Sequence, residues 1–113
     1  MTEVTGGTGV AARAGVDEAR TVARLSSRLL RAMSNERRFM ILCHLLQGEK
    51  SVGELQALIG ISQSALSQHL ARLRSEDLVT TRREAQSIYY AVTNPAVADV
   101  VSVLRNHFAA RSA

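Results

Sequence analysis

The sequence has one cysteine, one proline, no tryptophan, and aromatic residues at only 4% of its positions. With Cys43 alone no intrachain disulfide can form, which suits a reducing, cytoplasmic setting. Scarce aromatics demand a core of Leu, Val, Ile and Ala, and such a core fits packed helices better than a large sheet. No run approaches the ~18 apolar residues of a membrane span. The start of the chain lacks a charged segment followed by an apolar one, so no secretory signal is expected. No nucleophile, base and orienting group cluster on any helix or loop, and no glycine-rich phosphate loop occurs, so neither an enzyme nor a cofactor is expected. At 113 residues the chain fits one domain, which leaves no room for a second, catalytic one.

What is present is positive charge. Fourteen Lys and Arg against ten Asp and Glu give a net charge of +4, the sign expected of a protein with a polyanionic partner. All but Lys50 of the positive residues are Arg, the better bidentate ligand for phosphates and guanine edges.

Residues 1–16 are rich in Gly, Thr and Ala without a sustained period and read as a flexible tail. Residues 17–113 carry the folded domain. Val22, Leu25, Leu29 and Ala32 at helical spacing predict a first helix over 17–32. Asn35 followed by Glu36 starts a second, running to Leu46 through Phe39, Leu42 and Cys43, with Gly48 placed to end it. Ser51 and Glu54 form a capping box for a short helix that Gly60 terminates. Ser62 caps the next helix, which runs to Glu76 with Leu66, Leu70 and Leu73 inward. Helix, glycine turn, helix is the helix-turn-helix arrangement. After Asp77 the period becomes alternating, and two β-rich runs flanking Glu84-Ala85-Gln86 predict a hairpin. Asn94-Pro95 opens a last helix lined by Val97, Val101, Leu104 and Phe108. The fold class is therefore mainly α with a small β-hairpin, a winged helix-turn-helix in the order α-α-α-α-β-β-α.

On the helix after Ser62, Ser64, Gln68 and Ser75 point most directly outward, with Ser67, Ala71 and Arg72 beside them. This face is small, polar and free of acids until Glu76, so it can enter a major groove, where Gln68 can pair with adenine and Ser hydroxyls adapt to several edges. Gln63 and Ser64 occupy the end where recognition helices touch bases. His69, at the edge of the apolar stripe, either packs between helix and hairpin or contacts DNA. Arg82, Arg83 and Gln86 on the hairpin would reach a flanking groove or the backbone; as an alternative, the charges discourage strand pairing. The expected DNA-binding set is Ser62, Gln63, Ser64, Ser67, Gln68, His69, Arg72, Arg82, Arg83 and Gln86.

The run S-x-S-A-L-S-Q-H-L-A-R-L from Ser62 to Leu73, with S-V-G-E-L before it and L-V-x-T-R-R-E-x-Q-x-I-Y-Y after it, resembles the ArsR (SmtB-like) family of winged-helix repressors over residues 22–108. N-E-R-R-F-M-I-L-C-H-L from Asn35 and R-R-E-A-Q-S-I-Y-Y from Arg82 are similar to its BigR, SqrR and HlyU branch. That resemblance implies a homodimer that represses transcription on pseudo-palindromic double-stranded operator DNA and releases it when a cysteine pair reacts with reactive sulfur or oxidant. It puts one redox thiol at Cys43 and aligns Ala109 with the missing partner, so no bridge within the protomer can form. The family's C-x-C metalloid element is absent, since His44 and Leu45 follow Cys43. With His44, His69 and His107 lacking acid partners at ligand spacing, no metal is expected. Cys43 also reads as a small buried hydrophobe. The expected dimer surface is Val22, Leu25 and Leu29 with Val97, Val101, Leu104 and Phe108, more apolar area than a small core covers. Two other readings stay open: a winged-helix protein-interaction module without DNA, and a repressor answering to another ligand.

Overall fold

The computed structural model describes residues 9–112, with side chains for 15–109. Five helices and three strands follow in the order α1 (Gly9–Met33), α2 (Glu36–Leu45), β1 (Lys50–Ser51), α3 (Val52–Ile59), α4 (Gln63–Ser75), β2 (Val79–Glu84), β3 (Ser87–Val92) and α5 (Pro95–Ser112). The core is aliphatic. Ile41, Leu42, Leu55, Leu66, Leu70, Leu73, Leu78 and Val79 are all buried within it, and among the described residues no polar or charged residue is fully buried.

The local signals act where the spacing placed them. Asn35 Oδ1 accepts a hydrogen bond from the Arg38 amide at 3.1 Å, starting α2. Ser51 Oγ accepts from the Glu54 amide at 3.1 Å while the Glu54 carboxylate accepts from the Ser51 amide at 2.8 Å, a complete capping box. Gly60 closes α3 at φ 76°, a left-handed conformation that costs glycine nothing. Ser62 then accepts from the Ala65 amide and opens α4. Each such cap contributes about 1 kcal/mol to its helix, and together they fix the short turn between α3 and α4.

Three features differ from the sequence reading. The first helix begins at Gly9 rather than at 17, because Val10-Ala11-Ala12-Arg13-Ala14 has high helix propensity although it lacks an amphipathic period. Residues 9–16 are thus helical rather than a tail, and residues 1–8 lie outside the described ones. A short strand, β1, pairs with β3 (Lys50 opposite Tyr90, Ser51 opposite Tyr89), so the hairpin is part of a three-stranded antiparallel sheet ordered β1-β3-β2. Finally, Val97 and Val101, expected at a subunit interface, are 0% and 2% exposed in the protomer's own core. The apolar stripe of α5 does continue to Leu104 and Phe108, but the core ends after Val101. Only the distal half of that stripe is left uncovered.

Candidate nucleic-acid interface

Inward Leu66, Leu70 and Leu73 anchor α4 in the core, and this fixes what its opposite face presents. Ser62, Gln63, Ser64, Ser67, Gln68 and Arg72 are all exposed, with no acid among them. Gln63 and Ser67 line one wall of a cleft of about 610 Å³ whose opposite wall is the sheet, through Gln86, Ser87, Ile88 and Tyr90. Gln56 of α3 also lines it; the sequence reading missed it because α3 was considered only for its buried residues.

His69 is the exception on α4, being only partly exposed. Arg38 of α2 approaches its Nδ1 at 3.5 Å. A guanidinium only donates, so Nδ1 accepts and the ring proton sits on Nε2. Burial, then Arg38 and Arg37, push the imidazole below its ordinary pKa. The same Arg38 donates through Nε to the Ala32 carbonyl at 2.6 Å, tying the end of α1 to the recognition helix. His69 is held by its structural neighbours, and Arg38 is a residue the sequence did not single out.

Arg82 and Arg83 have different surroundings. Cross-strand pairing sets Arg82 opposite Tyr89 and Arg83 opposite Ile88, and adjacent residues of a strand face opposite sides. Arg83 therefore shares the face of Ile88 and Tyr90, which line the cleft beside α4, and it makes no ion pair among the described residues. Arg82 is on the other face, bound to Glu49 and Glu84 and stacked 4.8 Å over the Tyr89 ring. The period-2 rule already separated the two arginines, whereas Glu49 carried no signal because it only precedes a strand two residues long.

Cys43 is half-buried on α2. Burial pushes its thiol up and Arg105 on α5 draws it back. One turn earlier, Phe39 faces Leu104, Arg105, Phe108 and Ala109 across an apolar cleft of about 560 Å³. Val22, Leu25, Leu104 and Phe108 stay exposed and Leu29 half-buried.

Residues 35–81 match the bacterial regulatory protein arsR family. The transcriptional activator HlyU of Vibrio cholerae serotype O1 is 54% identical over 76 residues, covering 67% of this chain and 70% of that protein. The chain belongs to the ArsR family. Among solved structures, reduced HlyU from Vibrio cholerae N16961 superposes with a TM-score of 0.77 at 46% identity, covering 80% of this chain and 96% of that one. The transcriptional repressor BigR from Xylella fastidiosa gives 0.76 at 39%, covering 81% and 94%. The resemblance to the HlyU and BigR branch thus holds in sequence and in structure. These ArsR-type relatives are regulators of transcription rather than enzymes, and this chain is a winged-helix, DNA-binding regulator of that kind. Among the described residues, no helix is long and apolar enough to cross a membrane.

Proposed function

We propose that this ArsR-family chain is a cytoplasmic, homodimeric repressor that inserts α4 into the major groove of a pseudo-palindromic operator. The acid-free polar face of α4, set beside the sheet, carries the reading. Ser64 and Gln68 contact bases, Ser62, Gln63, Ser67 and Arg72 flank them, and Arg83 and Gln86 reach the neighbouring backbone. The dimer surface is built from Val22, Leu25 and Leu29 of α1 and from Leu104 and Phe108 of α5, the apolar side chains that the protomer core leaves at least partly uncovered.

Regulation follows the sulfur-responsive branch only in part. Cys43 lies within reach of the Arg105 charge on α5, and Ala109 lines the cleft that begins one turn away at Phe39, which supports Ala109 as the counterpart of a second thiol. With one cysteine the chain lacks the bridging step, so reactive sulfur at Cys43 is a weak lever and another signal is the better candidate inducer. Footprinting of the region upstream of its own gene tests the DNA reading. Two protected half-sites about one helical turn, or a multiple of it, apart are expected. No protection anywhere in that region, with a folded protein, favours the protein-interaction alternative.

A further inference from the structure

Every donor-bearing nitrogen of the Arg82 guanidinium is engaged. Nε donates to Glu49 Oε2 at 3.0 Å and Nη2 to Glu49 Oε1 at 2.6 Å, a two-pronged pairing, while Nη1 donates to Glu84 Oε1 at 2.6 Å. One cation lies between two carboxylates, so the local charge is net negative and does not attract a phosphate. The register explains the geometry: Arg82 of β2 is opposite Tyr89 of the central strand, Tyr89 is opposite Ser51 of β1, and Glu49 precedes Ser51 by two residues. The side chain crosses the Tyr89 ring on the face turned away from the α4 cleft and grips the segment leading into α3.

We propose that Arg82 is a positioning residue of the wing, which with Glu49 straps β2 across Tyr89 to the start of α3 and holds Arg83 and Gln86 at a fixed distance from α4. It acts through Glu49 and not on DNA. The proposal rests on the DNA-binding reading above.

The test compares Glu49→Gln, Arg82→Lys, Arg82→Gln, the double variant Glu49→Gln/Arg82→Gln, and Arg83→Gln, by anisotropy titration of a duplex carrying the upstream region at several salt concentrations. Removing an acid near a polyanion ordinarily tightens binding. The strap predicts the opposite, a loss of about threefold for Glu49→Gln. Arg82→Lys keeps the charge but not the fork, and it is expected to lose as much as Arg82→Gln. The double variant should lose no more than either single one. None of these four changes the salt slope, whereas Arg83→Gln lowers it by about 0.9. Tighter or unchanged binding by Glu49→Gln, near-wild-type binding by Arg82→Lys, or additive losses overturn the strap. In the free protein, a protected Arg82 Nε–H resonance is expected, and Glu49→Gln should abolish it. If that resonance behaves so while the wild type binds no DNA, the DNA reading has failed and the strap's role on DNA goes with it. If DNA binds and the resonance ignores Glu49→Gln, the strap alone has failed.

Discussion

The two exposed sides of this domain differ in kind. Around α4 the surface consists mainly of Ser, Gln and Arg over a fully aliphatic interior, whereas α1 presents Val22 and Leu25 and the distal half of α5 presents Val103, Leu104 and Phe108, of which Val103 is 67% and Phe108 61% exposed. Exposed apolar surface of the second kind is stable when another protein covers it, and hydrogen-bonding surface of the first kind suits base edges and phosphates. A single helical stripe can be divided between core and surface: α5 places Val97 and Val101 in the protomer's own core and leaves Leu104 and Phe108 exposed beyond it. A small domain thus carries both an apolar and a polar exposed surface without enlarging its core.

The sharpest way to break this division is on the apolar side. Leu104→Glu is expected to give monomers in sedimentation velocity and to weaken operator binding by about 10²-fold or more, because two half-sites are then no longer engaged through one linked dimer. A wild type that sediments as a monomer at micromolar concentration removes the twofold operator with it.

A smaller effect sharpens the boundary between the two sides at Cys43. Polysulfide or peroxide should change wild-type operator affinity by less than about tenfold, or 1.4 kcal/mol. Ala109→Cys should restore a larger response, provided the two Cα atoms come within about 7 Å. Mass spectrometry read beside the titration decides this, and an Ala109→Cys protein that never shows an intramolecular link excludes Ala109 as the missing partner.

The smallest expected effect concerns the joint between the halves. Since His69 titrates below the ordinary imidazole value in the folded protein, folding favours its neutral form. Its contribution to stability is full above the unfolded value, about pH 6.5, and is lost as the pH falls through the lower folded one. Thermal melts across that range should therefore fall more steeply for the wild type than for His69→Gln, and parallel curves would mean that neither burial nor the neighbouring Arg38 and Arg37 hold the ring neutral.

How much of this was legible beforehand depended on how local the cause was. Asn35, Ser51, Gly60 and Ser62 act on amides within a few residues, so spacing alone placed α2, α3 and α4. The α4 face was equally readable, because Leu66, Leu70 and Leu73 fix its inward side and therefore its outward one. The hairpin turn was placed but not its form: Ala85 takes a left-handed φ of 55°, a conformation with no propensity signal in alanine. Pairings across long separations, Arg82 with Glu49 and His69 with Arg38, leave no periodic trace. The burial of Val97 and Val101 depended on where the core ends, which a helical stripe does not encode.

The central claim, that the polar face of α4 reads base sequence, is tested most directly by titrating Gln68→Ala and the wild type against the footprinted operator and a scrambled duplex of equal length at the same salt. A loss of roughly 1 to 3 kcal/mol on the operator is expected, with scrambled-duplex binding and the oligomeric state unchanged. Equal operator affinity for the two folded proteins, or an equal loss on both duplexes, would contradict it.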